Sequence, residues 1–181
     1  MMSKTQDTTA AVTATATATA ADTSALIHSV TPEQIGEAIK AVGCAVTILE
    51  QNGLPMVHSA SHGVGFQVLW GNTTGEPGKY IDFTLSTPLR VQEGSLPEGL
   101  IAEWHRSKRF ARVVQHGEMI SLEMDVIVVG GVSPTYLNMM VQLWTQMMGQ
   151  FFLHLRNFDS ARPEAAAAAA AAPAPQAEAT A

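Results

Sequence analysis

The sequence predicts an α+β domain, an antiparallel sheet with helices packed on it. Three observations lead there. Helix-start signals at 30–35 (VTPEQI) and 132–137 (VSPTYL) bracket an interior whose apolar period is two rather than 3.6. That interior is cut into short runs by turn-type residues, too closely spaced for the crossovers a parallel sheet requires. A long segment with apolar residues at helical spacing then closes the domain. The predicted order is α-β-β-β(-β)-α-β-β-α.

In the first helix Thr31 is placed to cap, Pro32 suits the first helical position, and Gln34 completes a capping box. Val30 and Ile35 stand at the hydrophobic-staple spacing. Ile35, Ala38, Ile39 and Val42 share a face, and Gly43 is a natural stop.

Strand-like runs follow. AVTILE at 45–50 ends on Gln51-Asn52-Gly53, a hairpin signal, and PMVHS at 55–59 is placed to return against it. VGFQVLW at 64–70 is a further strand, and GNTTGEPGK a loop. In YIDFTLST at 80–87, Ile81, Phe83 and Leu85 alternate with Asp82 and Thr84. A middle helix is expected over 97–107, with Ser95 and Glu98 at capping-box spacing and Leu100, Ile101 and Trp104 inward. A hairpin turning at His116-Gly117 comes next. Its second strand aligns Ile120, Leu122, Met124, Val126 and Val128 against Ser121, Glu123 and Asp125, one face dry and one wet.

The last helix is expected over about 134–157, capped by Ser133 ahead of Pro134. Leu137, Met140, Val141, Trp144, Met147, Met148, Phe151, Leu155 and Phe158 repeat at spacings of three and four over roughly 33 Å. Met139, Leu143, Phe152 and Leu153 widen that stripe. A helix apolar over so much of its circumference is either deeply buried or shared with a second molecule. On the second outcome Met140, Trp144, Met147, Met148 and Phe151 form a partner-binding surface, methionine supplying adaptability.

Of the 181 residues, only 27–158 carry the side chains a core needs. Residues 1–26 are rich in Ala and Thr, and 159–181 hold eight consecutive alanines followed by Pro-Ala-Pro. Both are expected to be disordered tails, the alanine run transiently helical. The N-terminal stretch lacks the continuous apolar centre of an export signal, and no run reaches the roughly 18–20 apolar residues of a membrane span. A single cysteine, Cys44, excludes an intrachain disulfide and a cysteine-built zinc site. The expectation is a cytoplasmic protein. Its net charge of −6 argues against nucleic acid as a partner.

The stretches IAEWHRSKRFARVV, EMISLEMDVIVVGGVS and MVQLWTQMMGQFFLHL resemble the C-terminal half of the YbjN-like family, bacterial proteins regarded as sensory transduction regulators. The matching residues are Trp104, Arg109-Phe110, Asp125-Val126, Gly130-Gly131-Val132-Ser133 and Trp144. His105 stands where the family often has asparagine. The resemblance implies a fold like that of type III secretion chaperones, which dimerise and bind segments of other proteins. It implies regulation, and it names no reaction.

The residues themselves offer weak chemistry. VVGGVSP has neither the dinucleotide nor the phosphate-loop spacing, and its Ser-Pro pair is explained as a helix start. Glu123 and Asp125, about 7 Å apart on one strand face, are a possible carboxylate pair for a hydrolase or transferase. Arg112 on the neighbouring strand can pair with one of them. His58 and His62 sit four apart without a helix to make them converge, so no metal is expected. Cys44 follows the first helix among apolar residues and reads as core. The basic group Arg106, Lys108, Arg109 and Arg112 suits the end of a helix, and Trp104 and Phe110 are better placed for the core than for stacking on bases.

The leading expectation is therefore a non-enzymatic regulatory or chaperone-like protein-binding module, homodimeric, with no cofactor. The alternative is a small-molecule sensor whose pocket, between sheet and last helix, is lined by Trp104, Phe110 and Trp144.

Overall fold

The computed structural model describes residues 26–91 and 96–171, with side chains described through residue 158. The remainder of the two tails, and Ser95, lie outside the described residues. The order is the expected one: α1 (Pro32–Ala41), β1 (Val46–Gln51), β2 (Leu54–Ser61), β3 (Val64–Trp70), β4 (Asp82–Arg90), α2 (Leu100–Ser107), β5 (Arg112–His116), β6 (Met119–Ile127) and α3 (Pro134–Ala171). The strands form one antiparallel sheet in the order β1-β2-β3-β4-β6-β5.

Turn chemistry sets the register. The β1–β2 turn is Asn52-Gly53, with φ of 55° and 76°, and the β2–β3 turn is His62-Gly63, with φ of 54° and 76°. Left-handed backbone at both central residues is what a tight I′ hairpin demands. The segment at 55–59 is thus part of a full eight-residue strand. β4 runs to Arg90, past the expected end at 87, and includes Pro88. The proline is tolerated because pairing with β3 ends at Ser86, so no ladder bond to β3 is lost there.

α1 carries the full capping box: the Thr31 hydroxyl accepts from the Gln34 amide at 3.4 Å, and Gln34 Oε1 accepts from the Thr31 amide at 2.9 Å. The α2 expectation needs correction. The helix starts at Leu100 after Gly99 in left-handed conformation, with no side-chain cap bond, rather than at 97. α3 begins as expected, Ser133 Oγ accepting from the Tyr136 amide at 3.1 Å. It continues to Ala171, beyond 157 and through Pro163. Alanine's helix propensity favours that extension although the proline removes one backbone bond.

One face of the sheet holds the core. Val57, Val68, Leu85 and Met124 lie directly opposite one another across β2, β3, β4 and β6, all essentially inaccessible to solvent. α3 covers them, with Trp144 edge-on to Phe66 at 5.9 Å and Phe151 edge-on to Trp104 at 5.0 Å. α1 and α2 pack beside α3 and over the sheet's margins.

No described helix covers the other face. One of its rows is Thr47, His58, Gln67, Ser86, Glu123 and Arg112, each opposite the next. The adjacent row includes Leu49 opposite Met56, and Leu69 opposite Thr84, which in turn lies opposite Asp125.

Candidate functional site

Trp104 anchors the corner between α2 and β5. Its ring is fully buried, and its Nε1–H donates to the Ala111 carbonyl at 3.0 Å. One position on, His105 Nε2 accepts from the Val113 amide at 2.9 Å, so that nitrogen carries no proton there. Two side chains of α2 thus brace the chain just after Phe110. Phe110 has a φ of 73° and is 61% exposed, the Arg109 guanidinium lying 5.0 Å from its ring centre. A bulky residue in the left-handed region is strained. The expectation that Phe110 joins the core is therefore wrong: the braced corner turns the ring outward.

Arg112 begins β5 on the uncovered sheet face. Its guanidinium donates to Glu123 at 2.8 Å and also to Asp125, which accepts from the Thr84 hydroxyl at 2.6 Å. The Arg112 bond, with help from Thr84, holds the Asp125 carboxyl below the ordinary aspartate range against partial burial. Arg112 is itself raised, chiefly by its bond to Asp125. One cation therefore serves both carboxylates. The arrangement is an ion cluster, and Asp125, held low by its bonds, is not poised near neutrality for proton transfer.

The remaining sequence candidates do not converge. His58 projects from β2 on the bare face, while His62 sits in the β2–β3 turn with Nε2 3.0 Å from the Thr145 carbonyl. Among the described residues no group of three or more His, Cys, Asp and Glu is placed to hold a metal. Cys44 is half-buried and packs against the core. Gly130 and Gly131, both at positive φ, turn β6 into α3. A Cβ on Gly131 would stand 2.8 Å from His28 and 3.0 Å from Leu26. That glycine permits the close approach of the N-terminal segment, whose Ile27 bridges Val132. Arg106 pairs with Glu103 on its own helix.

The α3 surface expectation is corrected. Trp144, Met147, Met148 and Phe151 are buried within the chain's own core, and Met140 is half-buried. The sheet below and α1 and α2 alongside use most of the wide stripe, leaving Met139 and Leu153 exposed. Neither is the alternative pocket present among the described residues, since Trp104 and Trp144 are enclosed while Phe110 faces solvent. A cleft of about 350 Å³ opens instead between α2 and α3, lined by Glu103, Lys108, Gln150, His154 and Phe158 among others.

No described helix is long and apolar enough to cross a membrane. No curated protein matches the chain. Among solved structures, the fold is similar to the crystal structure of YbjN, "a putative transcription regulator from E. coli". The two share 10% identity and a TM-score of 0.54, over 76% of this chain and 96% of that one. From the capped start of α1 to the described part of α3, residues 31–157 match the family model YbjN, "Putative bacterial sensory transduction regulator", and the chain belongs to that family.

Proposed function

We propose that this chain is a regulatory, chaperone-like protein-binding module that works as a homodimer in the cytoplasm and catalyses no reaction. One observation carries the reading. Among the described residues a helix covers the sheet on one face only, and the other face exposes Leu49, Leu54 and Leu69 beside the internally matched Arg112, Glu123 and Asp125. An uncovered sheet with an apolar end suits an extended protein segment laid against it. The Arg112 cluster supports the absence of catalysis, because its carboxylates are committed to a salt link. Membership of a family described as a regulator agrees with the role.

Two measurements test it. Sedimentation of the full chain at micromolar concentration should give twice the 19.2 kDa chain mass; a strict monomer removes the dimer. A photo-crosslinking residue replacing Leu69 should capture a discrete protein in cells, while one replacing exposed Glu98 should not. Equal background at both positions removes the protein-binding role.

The α2–α3 cleft favours a second reading, a small-molecule sensor. A metabolite that raises the melting temperature of the wild type but not of Lys108→Ala would favour it over the first.

A further inference from the structure

We infer that β1 is the seam of a twofold dimer, in which β1 of one copy pairs antiparallel with β1 of a second and joins two six-stranded sheets into one. This rests on the homodimeric reading above and names its interface.

β1 and β5 are the two edges of the sheet. They differ in how they are guarded. β5 is five residues long and begins at the charged Arg112. β1 reads VTILEQ, without lysine, proline or bulge, and its register with β2 is unbroken from Val46 opposite Ser59 to Gln51 opposite Leu54. Ile48 is 40% and Leu49 56% exposed. An unbroken edge of this kind, with two exposed aliphatic residues and Glu50 its one charge, is a template for another strand.

The hairpin determines which backbone groups are free. In a two-residue hairpin the flanking residues, here Gln51 and Leu54, exchange both backbone bonds. Alternation then points Gln51, Leu49 and Thr47 toward β2, and leaves the amides and carbonyls of Val46, Ile48 and Glu50 directed outward. A twofold axis at Ile48 sets Ile48 against its own copy and Val46 against Glu50 of the second copy, satisfying all of these groups.

Charge complementarity selects a second copy as the occupant. α1 lies over this edge: a Cβ on Gly36 would stand 3.2 Å from Ile48 Cδ1 and 3.5 Å from Val46 Cγ1. Around the helix from Gly36, on the side away from buried Ile35 and Ile39, runs the exposed stripe Glu33, Glu37 and Lys40. By helical geometry that stripe overhangs the free edge. It is acidic toward the N-terminus and basic at the C-terminus. The same axis makes the two α1 helices antiparallel, so the Glu33 end of each copy faces the Lys40 end of the other. Within one chain Lys40 pairs with Glu37 at 2.8 Å, an exposed link that can be shared or exchanged across the seam. An unrelated segment has no such matched pattern.

The full-length chain is tested by sedimentation equilibrium, with circular dichroism to confirm folding. Ile48→Pro removes an amide that the fold itself does not use. It should weaken dimerisation at least about tenfold while the fold is kept. Lys40→Glu replaces two attractions across the seam by two repulsions, besides removing the exposed Lys40–Glu37 pair within each helix, and should weaken the dimer by about tenfold. Adding Glu33→Lys to it should restore most of the loss.

A folded Ile48→Pro variant that remains dimeric overturns the β1 seam while the dimer itself stands. The seam is likewise overturned if that variant stays dimeric but loses a crosslink to another protein, which then owns the edge. Should Ile48→Pro fail to fold, the charge variants decide: undiminished dimerisation by Lys40→Glu, or no rescue in the double variant, overturns it. A wild-type chain that is monomeric throughout removes the dimer reading and this one with it.

Discussion

The imidazole of His62, at the tip of the β2–β3 hairpin, lies against the bare backbone of Gly149 in α3, its Nε2 3.0 Å from the Thr145 carbonyl. A sheet turn is thereby fastened to the middle of the helix that covers the core. Glycine normally weakens a helix interior by about 1 kcal/mol relative to alanine. Here it admits the ring, because a Cβ would stand 2.9 Å from Nε2 and 3.0 Å from Cε1.

Gly149→Ala should therefore stabilise little or not at all in the wild type, since helix propensity is offset by displacement of the ring. In a His62→Asn background the same change should stabilise by about 0.5–1 kcal/mol. Asparagine tolerates the left-handed turn and is shorter. Urea unfolding of the four proteins measures the coupling; equal effects of Gly149→Ala in both backgrounds would show that the contact carries no energy.

Acid should loosen the uncovered sheet face before the core. Asp125 ionises below the ordinary aspartate range in the fold, so its stabilising contribution is present above the unfolded value. It is lost as pH falls through the depressed folded value. Arg112→Met leaves Glu123 and Asp125 facing each other without a cation. At neutral pH the Asp125 part of that should cost no more than about 1 kcal/mol, because Arg112 and Asp125 are both half-exposed, and the less exposed Glu123 adds to it. The deficit should shrink on acidification, because Asp125 without the Arg112 bond takes up its proton at a higher pH than in the wild type. A deficit constant from neutrality to pH ~4 would contradict the ion-cluster assignment.

The two central tryptophans should respond differently to loss of the indole N–H. Trp104 Nε1 is bonded to Ala111, whereas Trp144 Nε1, equally buried, has no hydrogen-bond partner among the described residues. Trp104→Phe forfeits a bond and leaves the Ala111 carbonyl unmet. Trp144→Phe removes an unsatisfied donor along with some packing. Trp104→Phe should cost about 1–2 kcal/mol more in denaturant unfolding. Equal losses would show that both sites respond to volume alone.

Much of this fold was legible because the decisive signals are local. Thr31 with Gln34, Ser133 before Pro134, and Asn52-Gly53 each set backbone geometry within four residues, and strict alternation in β6 identified its dry face. What failed was long-range. The apolar period of α3 identifies its greasy residues but cannot count the neighbours that cover Trp144 or Met148. Histidine is a weak turn signal, so His62-Gly63 is not legible as a hairpin from its sequence although glycine is one of its two residues. Phe110 was assigned inward by its hydrophobicity; only the bracing of Ala111 and Val113 by α2 shows why its ring points out.

That outward ring gives the last prediction. A left-handed backbone at Phe110 costs about 1–2 kcal/mol, and the contact with Arg109 returns only about 0.5 kcal/mol at an exposed site. Phe110→Gly should accordingly raise the melting temperature slightly, since glycine accepts the same φ without steric penalty and its greater chain entropy offsets only part of the gain. On the protein-binding proposal the outward ring is available for contact, so Phe110→Gly is expected to lose crosslinked partner in cells. If Phe110→Gly is destabilising, the ring is structural after all. If it is stabilising and partner capture is unchanged, the corner lies outside the binding surface.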